Sequence, residues 1–150
     1  MATKKPTPPP ILKKLSYKGG PAWFAPNVPA KVKPLLEGLA QTTRVPKIPE
    51  ASILFAKNSR ELAAVFKKVE GRLRGDPLLW ICYPKGGVDT DLNRDILWHW
   101  LWPRGLRPVS QISLDETWSA MRFRPQGLVK SKPGEGPSAF DHPPVDIIPR

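Results

Sequence analysis

Lys85, Gly86 and Gly87 follow directly on an apolar run, LLWICYP, and are the first residues of this chain whose types and spacing could do chemistry. Glycine amides and an ammonium at the carboxyl end of a strand can hold a phosphate, although the specific P-loop pattern ending in Gly-Lys-Ser/Thr is absent and a plain turn explains the same residues. Next come Asp91, Arg94 and Asp95. In the first turns of a helix, carboxylates suit its positive end and Arg94 can pair with Asp91 or Asp95. If the loop after Pro84 lines a pocket, Asp91 and Arg94 are the polar groups that point into it. Further on, Asp115, Trp118 and Arg122 form a third constellation. In an alternating strand Trp118, Ala120 and Arg122 share one side, and Ser119, Met121 and Phe123 the other. A tryptophan beside an arginine suits stacking on an anion or peptide. The structural alternative is a turn aspartate that fixes a hairpin, with an arginine paired to it.

Trp98, His99, Trp100 and Trp102 make the densest aromatic cluster. Trp98 and Trp102 share one helical face and Trp100 lies on the other with Ile96 and Leu97. Packing accounts for both faces, and an exposed indole pair would instead offer a partner surface or a base-stacking platform. His99 has no neighbouring Cys, Asp or second His that would build a nucleophile system or a metal site, so no metal is expected.

These groups need elements to position them. PAWFA, residues 21–25, is a short apolar run bounded by turn residues, which suits a buried strand. Residues 30–40 place Val32, Leu35, Leu36 and Leu39 at helical spacing, with Pro34 tolerated near the first turn. TTRV, residues 42–45, is β-branched and flanked by prolines, as at a sheet edge. SILFA, residues 52–56, runs into Asn58 with Glu61 three residues later, a capping pattern that opens a helix carrying Leu62, Val65, Phe66, Val69 and Leu73 on one face and stopping at Gly75. Residues 78–83 are apolar at every position, as a strand covered on both faces requires. Asp89 or Thr90 then caps a helix whose Leu92, Ile96, Leu97, Trp100 and Leu101 face the core, ended by Pro103 and Gly105. Residues 109–114 and 118–123 alternate about a short turn and form a hairpin. Strands alternating with helices before a terminal hairpin predict an α/β, Rossmann-like domain with a mostly parallel sheet of about six strands.

Composition bounds the partners. The 20 prolines crowd both ends, so residues 1–10 are expected to be a disordered basic arm, 11–125 the folded domain, and 126–150 a disordered Pro/Gly-rich tail. The formal net charge is +11, and the first fifty residues, with nine basic against two acidic side chains, hold +7 of it. Such a field favours an anionic partner, nucleic acid among them. The single cysteine, Cys82, lies within the apolar run and can form neither an intramolecular disulfide nor a thiolate metal site. With no signal-peptide pattern and no run near the about 18 apolar residues that span a bilayer, a reducing, cytoplasmic setting without a membrane partner is expected.

The series YPKGG, DLNRDILW and GLRPVSQISLDETWSAMRFRP resembles an uncharacterised bacterial family of small domains of unknown function, similar to a trimmed class I methyltransferase fold. The resemblance is close over residues 78–125 and weaker over 18–73. It implies that PAWFA and SILFA are neighbours and that the sheet's switch point lies between them. A ligand would be expected in the crevice beyond the carboxyl ends of those strands, near Asn27, Lys57 and Lys85. S-adenosylmethionine is the cofactor such a fold implies, yet the loop after PAWFA has two prolines and no glycine. The second strand also ends without an acidic residue to grip a ribose, Glu50 being the nearby candidate. The expectation is therefore a non-catalytic binding protein without a cofactor, with an anionic or protein partner. A reduced S-adenosylmethionine-dependent methyltransferase and a nucleic-acid-binding accessory protein are the alternatives.

Overall fold

Alternation along the strands builds two hydrophobic layers on one sheet. The computed structural model describes residues 10–17, 19, 22–85 and 90–126. The expectations for residues 1–9, Lys18, Pro21, Gly86, Gly87, Asp89 and residues 127–150 lie outside these residues, whereas Pro10, expected in the arm, opens the first helix. The strands are β1 (Trp23–Phe24), β2 (Gln41–Thr42), β3 (Ala51–Phe55), β4 (Leu78–Pro84), β5 (Leu106–Ser113) and β6 (Trp118–Pro125). They form one sheet in the order β2-β1-β3-β4-β6-β5, parallel from β2 to β4 and antiparallel at β4-β6 and β6-β5. This is the Rossmann-like architecture that the alternation of elements predicts, with β1 beside β3 and the hairpin at one edge.

On one face Phe24, Leu54, Leu79, Ile81, Tyr83, Met121 and Phe123 pack together, and on the other Trp23, Ile53, Phe55, Trp80, Cys82, Trp118 and Ala120 do. The period of two in each strand accounts for this division. Helices α2 (Ser59–Lys67) and α3 (Arg94–Leu101) cover the first face through Leu62, Val65, Phe66, Leu97, Trp100 and Leu101. The second face is covered by the short helix α1 (Pro10–Lys14) and a 3-10 turn over Lys33–Leu36, which contribute Leu12 and Leu36. Cys82 is fully buried, and burial pushes its thiol well above the ordinary value.

Three helical expectations are corrected. Residues 30–40 make only the 3-10 turn, because Pro34 lacks an N–H and restrains Lys33, and Gly38 then turns left-handed at φ +94°. Helix α2 ends at Lys67 rather than running to Leu73. Its chain tightens through bonds from Lys68 N to Val65 O and Val69 N to Phe66 O, and Gly71 reverses it at φ +85°, ahead of the predicted stop at Gly75. The third helix starts later than predicted: Asn93, not Asp89 or Thr90, caps α3 by accepting from Ile96 N at 2.9 Å. Leu92 and Leu97 therefore flank the cap from N′ and N4, the positions of a hydrophobic staple. TTRV likewise contributes only Thr42 to a strand, β2 being Gln41–Thr42, at the expected sheet edge.

Candidate functional site

At the switch point between β1 and β3 the chain's own polar groups are hydrogen-bonded to one another and to backbone. Asn27 donates from Nδ2 to Phe55 O at 2.6 Å and accepts from Phe55 N at 3.2 Å, so its side chain extends the β1-β3 ladder. The capping pattern after β3 is formed: Asn58 Oδ1 accepts from Glu61 N at 2.9 Å, and Glu61 Oε1 accepts from Lys57 N at 3.0 Å. Asp91 is corrected from the first turn of α3 to the first turn of α2, where its carboxylate accepts both the backbone N–H and the hydroxyl of buried Ser59. Thr90 donates its hydroxyl to Lys57 O and accepts from Leu92 N, tying the same corner together. An adenosyl group would need free glycine amides and a carboxylate at this position. The chain supplies Pro26, an Asn27 amide already engaged on both sides, and a Glu50 that precedes β3 at the opposite end of the sheet. The switch-point residues do not fit that cofactor.

The hairpin signature is also structural. Asp115 accepts from Thr117 N at 2.8 Å and Trp118 N at 2.7 Å, which fixes the turn between β5 and β6. Trp118 is buried and meets Phe55 edge to face, with ring centroids 5.2 Å apart. The expected pairing of Trp118 with Arg122, and of Asp115 with an arginine, is corrected. The ion pair of this strand joins Arg124 to Asp76, with bonds of 3.1 and 2.7 Å, and the cation–π contact among the described residues is Arg104 over Trp100 at 3.7 Å. Trp100 also packs edge to face on Phe66, while Trp98 and Trp102 share the other helical face, half-buried, with centroids 6.4 Å apart. His99 is buried, neither ring nitrogen is bonded among the described residues, and desolvation pulls its pKa down against the opposing pull of Asp95. Among the described residues no three His, Cys, Asp or Glu side chains converge as metal ligands.

Lys85 and Arg94 have a different setting. Together with Tyr83, Asn93, Asp95, Gln111 and Ser119 they line a cleft of about 430 Å³ at the carboxyl end of β4, between the start of α3 and the hairpin. Three strands and a helix position these groups. Tyr83 and Ser119 are register partners on the α3 side of the sheet, and Gln111 donates to Tyr83 Oη at 2.8 Å. Burial raises the Tyr83 pKa, so the phenol is a neutral hydrogen-bonding floor. Lys85 Nζ donates to Ser113 Oγ at 2.6 Å, and Arg94 lies 3.6 Å from Asp95 in a pair whose side chains are about two-thirds exposed.

Of the eight residues singled out by sequence, this cleft gathers Lys85 and Arg94. Asn27, Lys57 and Asp91 lie at the switch point, Asp115 and Trp118 in the hairpin turn and core, and Arg122 on the opposite face of β6. Tyr83, Asn93, Gln111 and Ser119 were missed. Ser119 and Gln111 had one signal, a polar residue on an alternating strand, and Asn93 lacked the acidic partner that makes a cap legible. No family model matches the chain, and neither a curated protein nor a solved structure matches it. Among the described residues no helix is long and apolar enough to cross a membrane.

Proposed function

We propose that this chain is a non-catalytic Rossmann-like binding module, kin to the small methyltransferase-like domains its signature resembles. Its cleft at the carboxyl end of β4 takes a carboxylate of an acidic protein segment. The observation that carries the reading is the placement of charge. Two cations from different elements, Lys85 and Arg94, line one cleft above neutral Tyr83, Gln111 and Ser119. Asp95 offsets one of them, leaving a single surplus positive charge that matches a carboxylate better than a dianionic phosphate. Exposed ion pairs such as Arg94–Asp95 are worth little, so an incoming carboxylate can take the guanidinium's donors at small cost. Arginine's planar fork then adds direction to the contact.

Catalysis finds less support at the same place. A serine becomes a nucleophile when its lysine is stripped of water and acts as a base. Lys85 is half-buried and Ser113 exposed, so their bond holds the ammonium in place. A buried lone cysteine accords with a reducing, cytoplasmic setting.

Fluorescence polarisation of labelled hexaglutamate, with hexaglutamine as the uncharged control, tests the reading. Replacing Lys85 and Arg94 together by Gln should weaken hexaglutamate binding by at least about tenfold, the loss of charge-assisted hydrogen bonds. The Lys13→Gln/Lys14→Gln pair, far from the cleft, should leave it within about twofold, as surface charges beyond a Debye length are screened. Equal losses in both pairs would reduce the cleft to part of a diffuse field.

A further inference from the structure

Strand β5 forms the long outer edge of the sheet, the other edge being β2, two residues long. An edge exposes backbone donors and acceptors that another chain can pair with, and folds guard it with proline, bulges or charge. The guards on β5 stand in its first half. Pro108 lacks an N–H, and the register slips between Pro108 and Ser110, leaving Val109 exposed. Over residues 110–113 the strand pairs regularly with β6 and carries no proline, bulge or charge.

Hydrogen bonding fixes which backbone groups face outward. Leu114 N donates to Trp118 O at 2.9 Å, toward β6. Alternate residues of an antiparallel ladder turn both backbone groups to the same neighbour, so Ser110 and Ile112 face β6 while Gln111 and Ser113 face away from it. No backbone bond among the described residues takes those outward groups. The same alternation directs the side chains. Gln111 and Ser113 rise on the cleft face, opposite Met121 and Ser119, and Ile112 lies half-buried on the other.

One charge reaches this edge. Lys85 follows β4, yet its ammonium crosses β6 to lie 2.6 Å from Ser113 Oγ. A strand laid along β5 would stand about 5 Å away, and its side chains opposite Gln111 and Ser113 would enter the cleft face beside that ammonium. A carboxylate there gains a counter-charge. A second copy of β5 would instead bring together two Lys85 side chains and two chains of net charge +11.

We propose that residues 110–113 take an extended acidic segment of a partner protein as an added strand. Its carboxylates, at alternate positions, face Lys85, and the apolar side chains between them face Ile112. The inference rests on the reading of the cleft as a carboxylate site and adds how the partner lies and what sequence pattern it carries. Backbone pairing supplies affinity, and the alternation of acidic with apolar residues supplies specificity.

Fluorescence polarisation of a labelled Glu-Val-Glu-Val-Glu-Val peptide, with amide hydrogen exchange of the full chain followed by NMR, tests the proposal. This peptide should bind more tightly than Glu-Glu-Glu-Val-Val-Val, which has the same charge. Two further peptides carry N-methyl groups on every glutamate or on every valine. Only alternate N–H groups of an added strand face its neighbour, so one set should cost about tenfold or more, the loss of two or more hydrogen bonds, and the other should stay within about threefold. With the unmodified peptide saturating, exchange at the Gln111 and Ser113 amides should slow by at least about tenfold. The proposal is overturned if the two orders of Glu and Val bind alike, if the two methylated peptides bind alike, or if those two amides exchange as in the free chain. It is also overturned if they are already protected before peptide is added, which would mean that a second copy or residues 127–150 hold the edge. In each case the cleft reading stands so long as a Glu-containing peptide binds. Equal binding of Gln-Val-Gln-Val-Gln-Val would instead overturn the cleft reading and, with it, the acidic partner.

Discussion

Two neighbouring corners of the sheet use the same residue types to opposite ends. Beyond β1 and β3, Asn27 and Asp91 are fully engaged by Phe55 and Ser59, which lie 28 and 32 residues away in the chain. Beyond the adjacent β4, Lys85 and Arg94 border an open cleft, and their contacts, Ser113 and Asp95, are exposed groups that water could replace. The difference follows from what each polar group faces. A carboxylate or amide set against the buried end of a strand or helix satisfies backbone that has no other partner. A charge set on the rim keeps its freedom to bind something else. A polar residue at the mouth of an α/β sheet is therefore a site candidate only after the backbone's needs have been met.

Substitutions can break this comparison in order of expected effect. Trp118→Ala, which removes a buried ring from contact with Phe55, should cost about 3–5 kcal/mol of stability by urea unfolding. In the fraction that stays folded, hexaglutamate affinity should be unchanged, and an affinity loss without a stability loss would return Trp118 to a binding role. Asp91→Ala strips the acceptor from Ser59 at the start of α2 and should cost about 1–2 kcal/mol. No loss there would mean that Asp91 is free for a ligand. The Lys85→Gln/Arg94→Gln pair should shift stability by less than about 0.5 kcal/mol, as surface changes do, while abolishing most of the hexaglutamate affinity.

Acid should act through His99, on the helix that walls the cleft. Its folded-state pKa lies below the ordinary value because burial disfavours the imidazolium. The unfolded chain therefore takes up a proton first, so the contribution of His99 is complete above about pH 6.5 and is lost as pH falls through the folded pKa. His99→Gln should flatten the stability profile below about pH 6.5, measured as urea midpoints, and an unchanged profile would place the acid sensitivity elsewhere.

Much of the framework was legible because its signals are local. The unbroken apolar run of β4, the alternation of β6, the Asn58 cap with Glu61 and the proline at the head of the 3-10 turn each act within a few residues. The candidate site was legible only in part. Nothing near Asn27 announces that Phe55 will take both ends of its amide, and nothing near Asp91 announces Ser59, because those partners arrive only when the sheet assembles. Helix ends failed for a related reason: the start of α3 depends on Leu92 reaching the core, and the end of α2 on burying Val69 within a tightened turn. Gln111 and Ser119 entered the cleft through register with Tyr83 and β6, a relation that sequence spacing does not carry.

An amide-resolved NMR titration of the isotopically labelled full chain with hexaglutamate tests the central contrast most directly. Shifts should concentrate at Lys85, Asn93, Arg94, Asp95, Gln111 and Ser119, with Asn27, Phe55, Lys57 and Ser59 unmoved. Shifts centred on Asn27, Lys57 and Ser59, with the residues of the cleft silent, would contradict it.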